Sequence, residues 1–254
     1  MEKEIYSTTR MDSIYLSNQG CHNIYHFLIY MVTNLQFLTN APSHVYIDMS
    51  HPYFENNHNF VVEILQALYP NAHIHNCSTP SPGMYMVPIH SLHDFHHDKA
   101  KYHSAYRYLR SICMPHVEHH PTIGKYSTKL YISRADSKYR RVVNEPELME
   151  YLAPLGFQKV TLTGIPLFEQ MAMFYHADVI ITLHGAALTN TLFCKQNTRI
   201  IELGSSYLAG KQHFSDIAEC FGYQHSRYVH STIVPNHDCM ANDILLHTIP
   251  SIYP

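Results

Sequence analysis

Short apolar, β-branched runs alternate with amphipathic stretches along the first half of the chain. Short apolar runs bounded by turn residues are typical of buried strands, whereas apolar residues spaced three and four apart are typical of helices. The predicted strands are residues 13–17, 44–49, 73–77 and 84–89, and the predicted helices are residues 23–38, 59–69 and 98–113. Because strands alternating with helices predict a parallel sheet, we expect residues 1–115 to form one α/β unit.

A second alternation follows an interruption at residues 114–127, where two Pro and one Gly indicate a linker. Its predicted strands are residues 129–133, 157–163, 178–183, 198–203 and 223–229, and its predicted helices are residues 144–156, 167–176, 186–194, 213–222 and 238–249. We expect Asn144 and Glu147 to form a capping box and Gly156 to end that helix. The predicted organisation is an N-terminal Rossmann-like domain (1–115), a linker (116–128), a C-terminal Rossmann-like domain (129–237) and a terminal helix (238–254) that could pack back on the first domain.

The predicted strand at 178–183 ends in a turn of small residues, His184-Gly185-Ala186-Ala187. Small residues between a buried strand and a helix let a ligand approach the backbone. The first N–H groups of the following helix lack internal partners and therefore favour a phosphate group. An ordinary β–turn–α unit without a ligand is the alternative, and the turn alone does not decide between the two. The turn contains neither GxGxxG nor GxxxxGKS/T, so it is not a dinucleotide fingerprint or a P-loop.

Composition and charge narrow the class of protein. Of the 254 residues, 46% are hydrophobic and 15% charged, which is typical of a folded globular protein. The net charge of −3 gives no general attraction to nucleic acid or to anionic membranes. Six scattered cysteines without a CxxC pair indicate reduced thiols. The N-terminus carries no apolar signal-peptide core, and the apolar run at 25–32 is too short to span a membrane, so we expect a cytoplasmic protein.

Three segments of the second half resemble glycosyltransferase family 61. They are LYISRADSKYRRVVNEPEL (130–148), LFEQMAMFYHADVIITLHGAALTN (167–190) and RIIEL (199–203). In the first half the resemblance is limited to NIYHFL (23–28). Many relatives carry an acidic residue four positions after the His of this segment, where the present chain has Tyr30.

The resemblance implies a GT-B architecture, in which two Rossmann-like α/β/α domains face each other across a cleft. It also implies inverting transfer of a sugar from a UDP-sugar to a hydroxyl of a glycan or glycoprotein. The implied sugars are xylose, N-acetylglucosamine and arabinose, of which we favour xylose. The short chain without a visible anchor suggests a soluble microbial or virus-encoded member, in the latter case acting in the host cytoplasm.

The predicted donor site lies at the carboxyl ends of the strands of the second half, which is where open α/β sheets bind ligands. Arg134 directly follows the strand 129–133, and a guanidinium can bind phosphate through two hydrogen bonds; a surface ion pair is the alternative. With the resemblance, the predicted donor-binding residues are Arg134, Arg140, His184, Gly185, Ala186, Thr189 and Asn190. The chain has no Asp-x-Asp metal motif, so we expect no metal and no cofactor.

Two acidic residues each have more than one interpretation. Glu202 ends a predicted strand and could accept hydrogen bonds from a ribose, support the donor site from behind, or pair with Lys195 or Lys211. Glu169 stands in the first turn of the helix 167–176, where the helix dipole alone favours an acid, but the resemblance makes it a donor-site or supporting residue.

Inverting transfer needs a general base for the acceptor hydroxyl. The predicted base is His26, whose ordinary pKa suits the task and which matches the His of the family. Asp48, at the end of a predicted strand, is the second choice and Asp94 the third. A nucleotide-sugar-binding protein without transferase activity is an alternative, because the family's acid is replaced by Tyr30. A metallohydrolase using the histidines at 93–98 and 116–120 is a further alternative, although no HExxH motif is present.

Overall fold

The computed structural model describes residues 12–16, 22–51, 54, 60–87, 99–205, 210–230, 236 and 238. The chain divides into two compact units, residues 1–112 and 113–254. Each unit contains one sheet, and the strand pairs within both sheets are parallel. The α/β class predicted from the alternating pattern is confirmed.

The first unit contains a four-stranded sheet with the strand order β3-β2-β1-β4. Its strands are β1 (Ser13–Leu16), β2 (His44–Ile47), β3 (His73–Asn76) and β4 (Tyr85–Val87). Its helices are α1 (Ile24–His26), which continues as a π-helix (Phe27–Met31) and a 3-10 helix (Val32–Phe37), then α2 (Phe60–Leu68) and the start of α3 (Lys99–Val117).

The predicted helix at 23–38 is helical but irregular. The Thr33 hydroxyl donates to the Ile29 carbonyl at 2.6 Å, and the Asn34 amide donates to the Tyr30 carbonyl at 2.9 Å. Side chains that bond to a carbonyl one turn earlier compete with the regular backbone ladder. We attribute the change from α- to π- and 3-10 geometry to these bonds.

The second unit contains a five-stranded sheet with the order β6-β5-β7-β8-β9. Its strands are β5 (Lys129–Ser133), β6 (Gln158–Thr161), β7 (Val179–Leu183), β8 (Arg199–Ser205) and β9 (Gln224–His230). Its helices are α4 (Glu145–Leu152), a 3-10 turn (Ala153–Leu155), α5 (Leu167–His176), a 3-10 helix (Ala186–Phe193) and α6 (His213–Phe221).

The strand order of the second unit creates a switch point between β5 and β7. From β5 the chain moves outward to β6 on one side, and it then returns to β7 on the other side. In open parallel sheets such a reversal opens a crevice at the carboxyl ends of the two central strands. Arg134 and His184, which directly follow β5 and β7, therefore emerge at this crevice.

One face of this sheet packs on α4 and fixes the positions of the strands. Tyr131, Ile181 and Ile201, on three neighbouring strands, are buried against Leu148 and Leu152 of α4. Because side chains alternate between the two faces of a strand, Glu202 and Thr182 point to the other face of the sheet. The two are register partners, and both are fully buried.

Two details of helix ends depart from the predictions. Asn144 makes no side-chain capping bond to the backbone, because its amide instead donates to the Glu147 carboxylate at 2.6 Å. The predicted capping box is therefore wrong, whereas Gly156 ends the helical segment with a φ of 88° as expected. Helix α3 runs to Val117, beyond the predicted end at 113, because Cys113 and Val117 extend its buried face by one turn.

Several predictions fall outside the described residues, namely most of the terminal helix at 238–249, the third base candidate Asp94 and the histidines at 93–98. Among the described residues, no helix is both long and apolar enough to cross a membrane.

Candidate functional site

The Arg134 guanidinium lies directly on the backbone of Gly185, at the crevice between β5 and β7. A β-carbon at position 185 would overlap Nη1 of Arg134 and would lie 3.1 Å from its Cζ. Nη2 donates to the Ser137 hydroxyl at 3.0 Å, but the buried Nε has no hydrogen-bond partner. Among the described residues, no carboxylate forms an ion pair with Arg134. A half-buried guanidinium with an unpaired N–H and no carboxylate partner is suited to binding an anionic ligand.

Arg140 brings a second positive charge close to the Arg134 guanidinium. Burial and then the charge of Arg140 lower the pKa of Arg134 to about 10, and Asp136 offsets part of this effect. Arg140 also contributes to the lowered pKa of His184, after burial. Arg140 has a φ of 57°, which is uncommon for a residue with a side chain and is often found at functional sites.

The neighbouring Arg141 has a different role. Its backbone N–H and its Nη2 donate to the two oxygens of Asp238, at 2.8 and 3.2 Å. The Asp238 side chain is almost fully buried. Of the two consecutive arginines, Arg140 therefore contributes charge near Arg134, whereas Arg141 binds Asp238.

The imidazole of His184 is hydrogen-bonded to the buried carboxylate of Glu202. Its Nδ1 lies 2.5 Å from Oε1 of Glu202, and both side chains are almost inaccessible to solvent. Oε2 of Glu202 accepts from Nε2 of His225 at 2.9 Å and from Nε of Arg227 at 3.0 Å. Arg227 is the register partner of Glu202 across β8 and β9, and His225 lies two residues earlier on the same face.

The hydrogen bonds to Glu202 determine its protonation state and whether it can bind a ligand. Burial raises the pKa of Glu202, but the hydrogen bonds from His184 and His225 and the charge of Arg227 outweigh it and place the pKa at about 2. Both oxygens are occupied and the side chain has no exposed surface, so no oxygen is left for a ribose hydroxyl. In this structure Glu202 supports His184 instead.

A second buried carboxylate, Glu145, supports the loop that carries Arg134. Its Oε1 accepts from the Tyr131 hydroxyl at 2.8 Å and from the Ser133 hydroxyl at 2.6 Å, and its other oxygen pairs with Lys159. The Ser133 oxygen also accepts from the backbone N–H of Ala135 at 3.1 Å, which fixes the turn around Arg134. Sequence reasoning missed Glu145 as a site residue, although it lies within the segment 130–148 that carries the family resemblance.

The helix after the His-Gly-Ala turn is a 3-10 helix, and its polar residues face inward. Thr189 and Asn190 have no exposed surface. The Asn190 amide donates to Oε1 of Gln170 at 3.2 Å, and the Gln170 amide donates to the Ile165 carbonyl at 2.8 Å. Thr189 and Asn190 therefore lie inside the protein, whereas Ala186 is partly exposed beside Gly185.

The Glu169 carboxylate has two side-chain hydrogen-bond donors from the segment before β5. Its carboxylate accepts from Nζ of Lys125 and from the Tyr126 hydroxyl, both at 2.6 Å. These hydrogen bonds lower the pKa of Glu169. In this structure Glu169 ties residues 125 and 126 to helix α5.

The two described base candidates belong to the first unit. The half-buried His26 ring packs edge-on against Tyr30, with 5.5 Å between the ring centroids. Burial and then the charge of His22 lower the pKa of His26. Asp48 follows β2, and hydrogen bonds from the Ser50 side chain and backbone lower its pKa.

Among the described residues, no group of three or more His, Cys, Asp or Glu side chains could hold a metal ion. In the segment 116–120, His116 packs on Phe168 with a centroid distance of 4.9 Å, and Nδ1 of His120 contacts the Thr122 hydroxyl at 2.7 Å. These two histidines therefore have structural partners. The histidines at 93–98 lie outside the described residues.

The chain is thus an α/β protein in which Arg134, with Arg140 near it, brings positive charge to the carboxyl ends of β5 and β7. Residues 14–201 match the family described as Glycosyltransferase 61. Since this match covers well over half of the 254 residues, the chain belongs to glycosyltransferase family 61. The resemblance seen in the sequence is confirmed.

The chain is also similar to the EGF domain-specific O-linked N-acetylglucosamine transferase of Drosophila melanogaster. The two are 40% identical over 79 residues, which is 29% of this chain and 14% of that protein. The match therefore covers only a small part of the relative.

Proposed function

We propose that this chain is a glycosyltransferase that uses a UDP-sugar and binds its diphosphate in the crevice between β5 and β7. The observation that carries the proposal is the Arg134 guanidinium, which lies on Gly185 without a carboxylate partner in the described part of the chain. Arg140 and His184 add cationic or hydrogen-bonding groups at the same edge. Membership of family 61 supports sugar transfer as the activity.

The chemical role of the crevice is to stabilise the leaving diphosphate. As the sugar departs, negative charge develops on the UDP, and fixed donors aimed at that charge lower the barrier. Arg134 and Arg140 provide two guanidinium groups for this purpose, which is the task that a metal ion performs in sugar transferases with an Asp-x-Asp motif. We therefore propose a metal-independent transfer. On the basis of the family 61 resemblance we further propose that the transfer is inverting and occurs within a GT-B arrangement.

His26 is the proposed general base. Because burial and the charge of His22 lower its pKa, the ring is neutral at neutral pH and its lone pair can accept a proton from the acceptor hydroxyl. The Asp48 carboxylate has a lowered pKa and already accepts from the Ser50 N–H at 2.9 Å, so it is the weaker base.

The sugar and the acceptor follow from two different observations. The family resemblance led us to favour xylose, whereas the Drosophila relative is named as an N-acetylglucosamine transferase acting on EGF domains. We therefore propose that the acceptor is a hydroxyl of a protein or glycan, and we retain both sugars as donors to be tested.

A transfer assay with both donors tests this proposal. The purified chain is incubated with UDP-xylose or UDP-N-acetylglucosamine and a folded EGF domain, and released UDP and the mass of the EGF domain are measured. We expect UDP release with one donor and a mass increase of one sugar if the acceptor suits the enzyme. The Arg134→Ala variant is the control and should release much less UDP. If wild type and variant release UDP only at the uncatalysed rate and UDP does not bind, the proposal is refuted.

A nucleotide-sugar-binding protein without turnover is the second candidate. The observation that favours it is Tyr30, which is buried where many family members carry an acid, so His26 has no carboxylate at that position. This candidate predicts binding of UDP together with neither transfer nor hydrolysis of either donor.

A further inference from the structure

We propose that His184 takes up a proton when the diphosphate of the donor binds, and that the buried Glu202 carboxylate positions the imidazole for this uptake. The inference rests on the proposed function, because it concerns the same crevice. It adds that donor binding is coupled to the uptake of a proton by His184, which the positive charge of Arg134 and Arg140 alone does not imply.

The contact with Glu202 determines which nitrogen of His184 carries hydrogen. An ionised carboxylate can only accept hydrogen bonds, and Glu202 also accepts from His225 and Arg227. Nδ1 of His184, at 2.5 Å from Oε1 of Glu202, must therefore be the N–H donor. Nε2, on the other side of the ring, is then the basic atom in the unliganded protein, and it can donate to a phosphate oxygen only after it gains a proton.

Burial and the neighbouring arginines hold the pKa of His184 below its ordinary value in the absence of a ligand, which favours the neutral ring. Burial lowers its pKa, Glu202 raises it, and Arg140 and Arg227 lower it further, so that the net direction is downward. Arg134 lies across Gly185, the residue next to His184. From α6, Phe214 packs edge-to-face with the His184 ring, with 5.1 Å between the ring centroids.

A bound diphosphate reverses this balance. Its negative oxygens offset the arginine charges and favour the imidazolium form of His184. The lone pair of Nε2 binds a proton delivered by water or buffer, and the new N–H donates to a phosphate oxygen. Glu202 stabilises the resulting cation through the Nδ1–H bond, in the way that a buried carboxylate supports a catalytic imidazole. No covalent bond other than N–H forms, and the proton returns to solvent when UDP leaves.

The positioning role of Glu202 is distinct from a purely structural one. A Gln at position 202 keeps an oxygen that can accept from Nδ1–H, but it removes the negative charge that favours imidazolium. If Glu202 only held the ring in place, Glu202→Gln would leave the proton uptake unchanged. If its charge is needed, the variant should take up fewer protons at the same pH and should bind the donor about tenfold more weakly, since losing about one pKa unit of imidazolium stabilisation corresponds to that factor.

The test is isothermal titration of the full chain with a nucleotide sugar near pH 7.5 in phosphate and in Tris, two buffers with different ionisation enthalpies. The probe is UDP-N-acetylglucosamine, or UDP-xylose if that binds more tightly. Both phosphates of a nucleotide sugar are esterified, so the probe itself does not titrate near neutral pH. The buffer dependence of the binding heat gives the number of protons taken up.

We expect wild type to take up a fraction of a proton between zero and one, and the affinity to fall as the pH rises. His184→Gln should bind with no proton uptake, whereas His225→Gln, the control for the other imidazole on Glu202, should retain the uptake. Because wild type and His184→Gln carry the test, it does not depend on the stability of Glu202→Gln.

Binding without uptake in wild type, or uptake that persists in His184→Gln, would overturn the inference and leave the proposed function intact. Absence of binding by both nucleotide sugars would overturn the proposed function instead. Unchanged uptake in a folded Glu202→Gln variant would overturn the positioning role of Glu202.

Discussion

Replacing Gly185 with Ala changes the environment of Arg134 without straining the backbone. Gly185 has a φ of 172°, an extended conformation that alanine adopts freely. The added β-carbon would overlap Nη1 of Arg134 and lie 3.1 Å from its Cζ, so the guanidinium must move. The substitution therefore displaces the cation that we propose binds the diphosphate, while the helix and strands around it are kept.

The expected loss of affinity follows from the bond that is displaced. A hydrogen bond to a charged group contributes about 1.5–3 kcal/mol, and each 1.4 kcal/mol corresponds to about tenfold in Kd. We therefore expect Gly185→Ala to bind UDP about ten- to a hundredfold more weakly than wild type. The thermal midpoint should change little, since the Arg134 side chain is only half-buried and can move toward solvent.

A double-mutant cycle identifies the cause of the loss. UDP affinity is measured by titration calorimetry for wild type, Gly185→Ala, Arg134→Ala and the double variant. If the alanine acts by displacing Arg134, the double variant should bind no more weakly than Arg134→Ala alone. If Gly185→Ala weakens binding by the same factor in the Arg134→Ala background, the methyl group blocks the ligand directly. An unchanged affinity of Gly185→Ala would refute the placement of the diphosphate at Arg134.

Three other predictions address the base and the two buried carboxylates. His26→Ala should reduce turnover by about 10²–10⁴-fold with nearly unchanged UDP affinity, as expected for a general base; a fully active variant would redirect attention to Asp48. The folded pKa of Glu202, about 2, lies below the unfolded value of about 4.3, so its contribution to stability is complete above pH ~4.3 and is lost as the pH falls toward 2. Acid titrations of wild type and Glu202→Gln should therefore converge in this range, and parallel curves would contradict the assignment. Glu145→Gln should lower the free energy of unfolding in urea by about 1–3 kcal/mol, since it breaks a buried hydrogen-bond network; an unchanged denaturation midpoint would refute that role.

The strands of the second unit were predictable because each is a short apolar run with clear boundaries. The run at 129–133 coincides with β5, and the helix at 167–176 coincides with α5. The positions of Arg134 and His184 at one edge of the sheet followed from the same pattern, since the carboxyl ends of parallel strands lie together.

The hydrogen bonds that support the site residues were not predictable from the local sequence pattern. Glu202 meets Arg227 and His225 because β8 and β9 pair in one particular register, which no short segment specifies. Likewise, Glu145 reaches Ser133 across the eleven intervening residues, whose path depends on the φ of 57° at Arg140 and on bonds to residues 236 and 238. The capping box was wrong for a similar reason. The Asn144 side chain bonds to the Glu147 carboxylate and not to a backbone group, and the sequence pattern does not distinguish these two partners.

The most direct test of the central claim compares UDP with uridine in titrations of wild type and Arg134→Ala. If the crevice between β5 and β7 binds the diphosphate, wild type should bind UDP at least about a hundredfold more tightly than uridine, which corresponds to two or more charge-assisted hydrogen bonds. In Arg134→Ala this difference should shrink by about tenfold or more. Equal affinities for UDP and uridine, or an Arg134→Ala variant that binds UDP like wild type, would contradict the account.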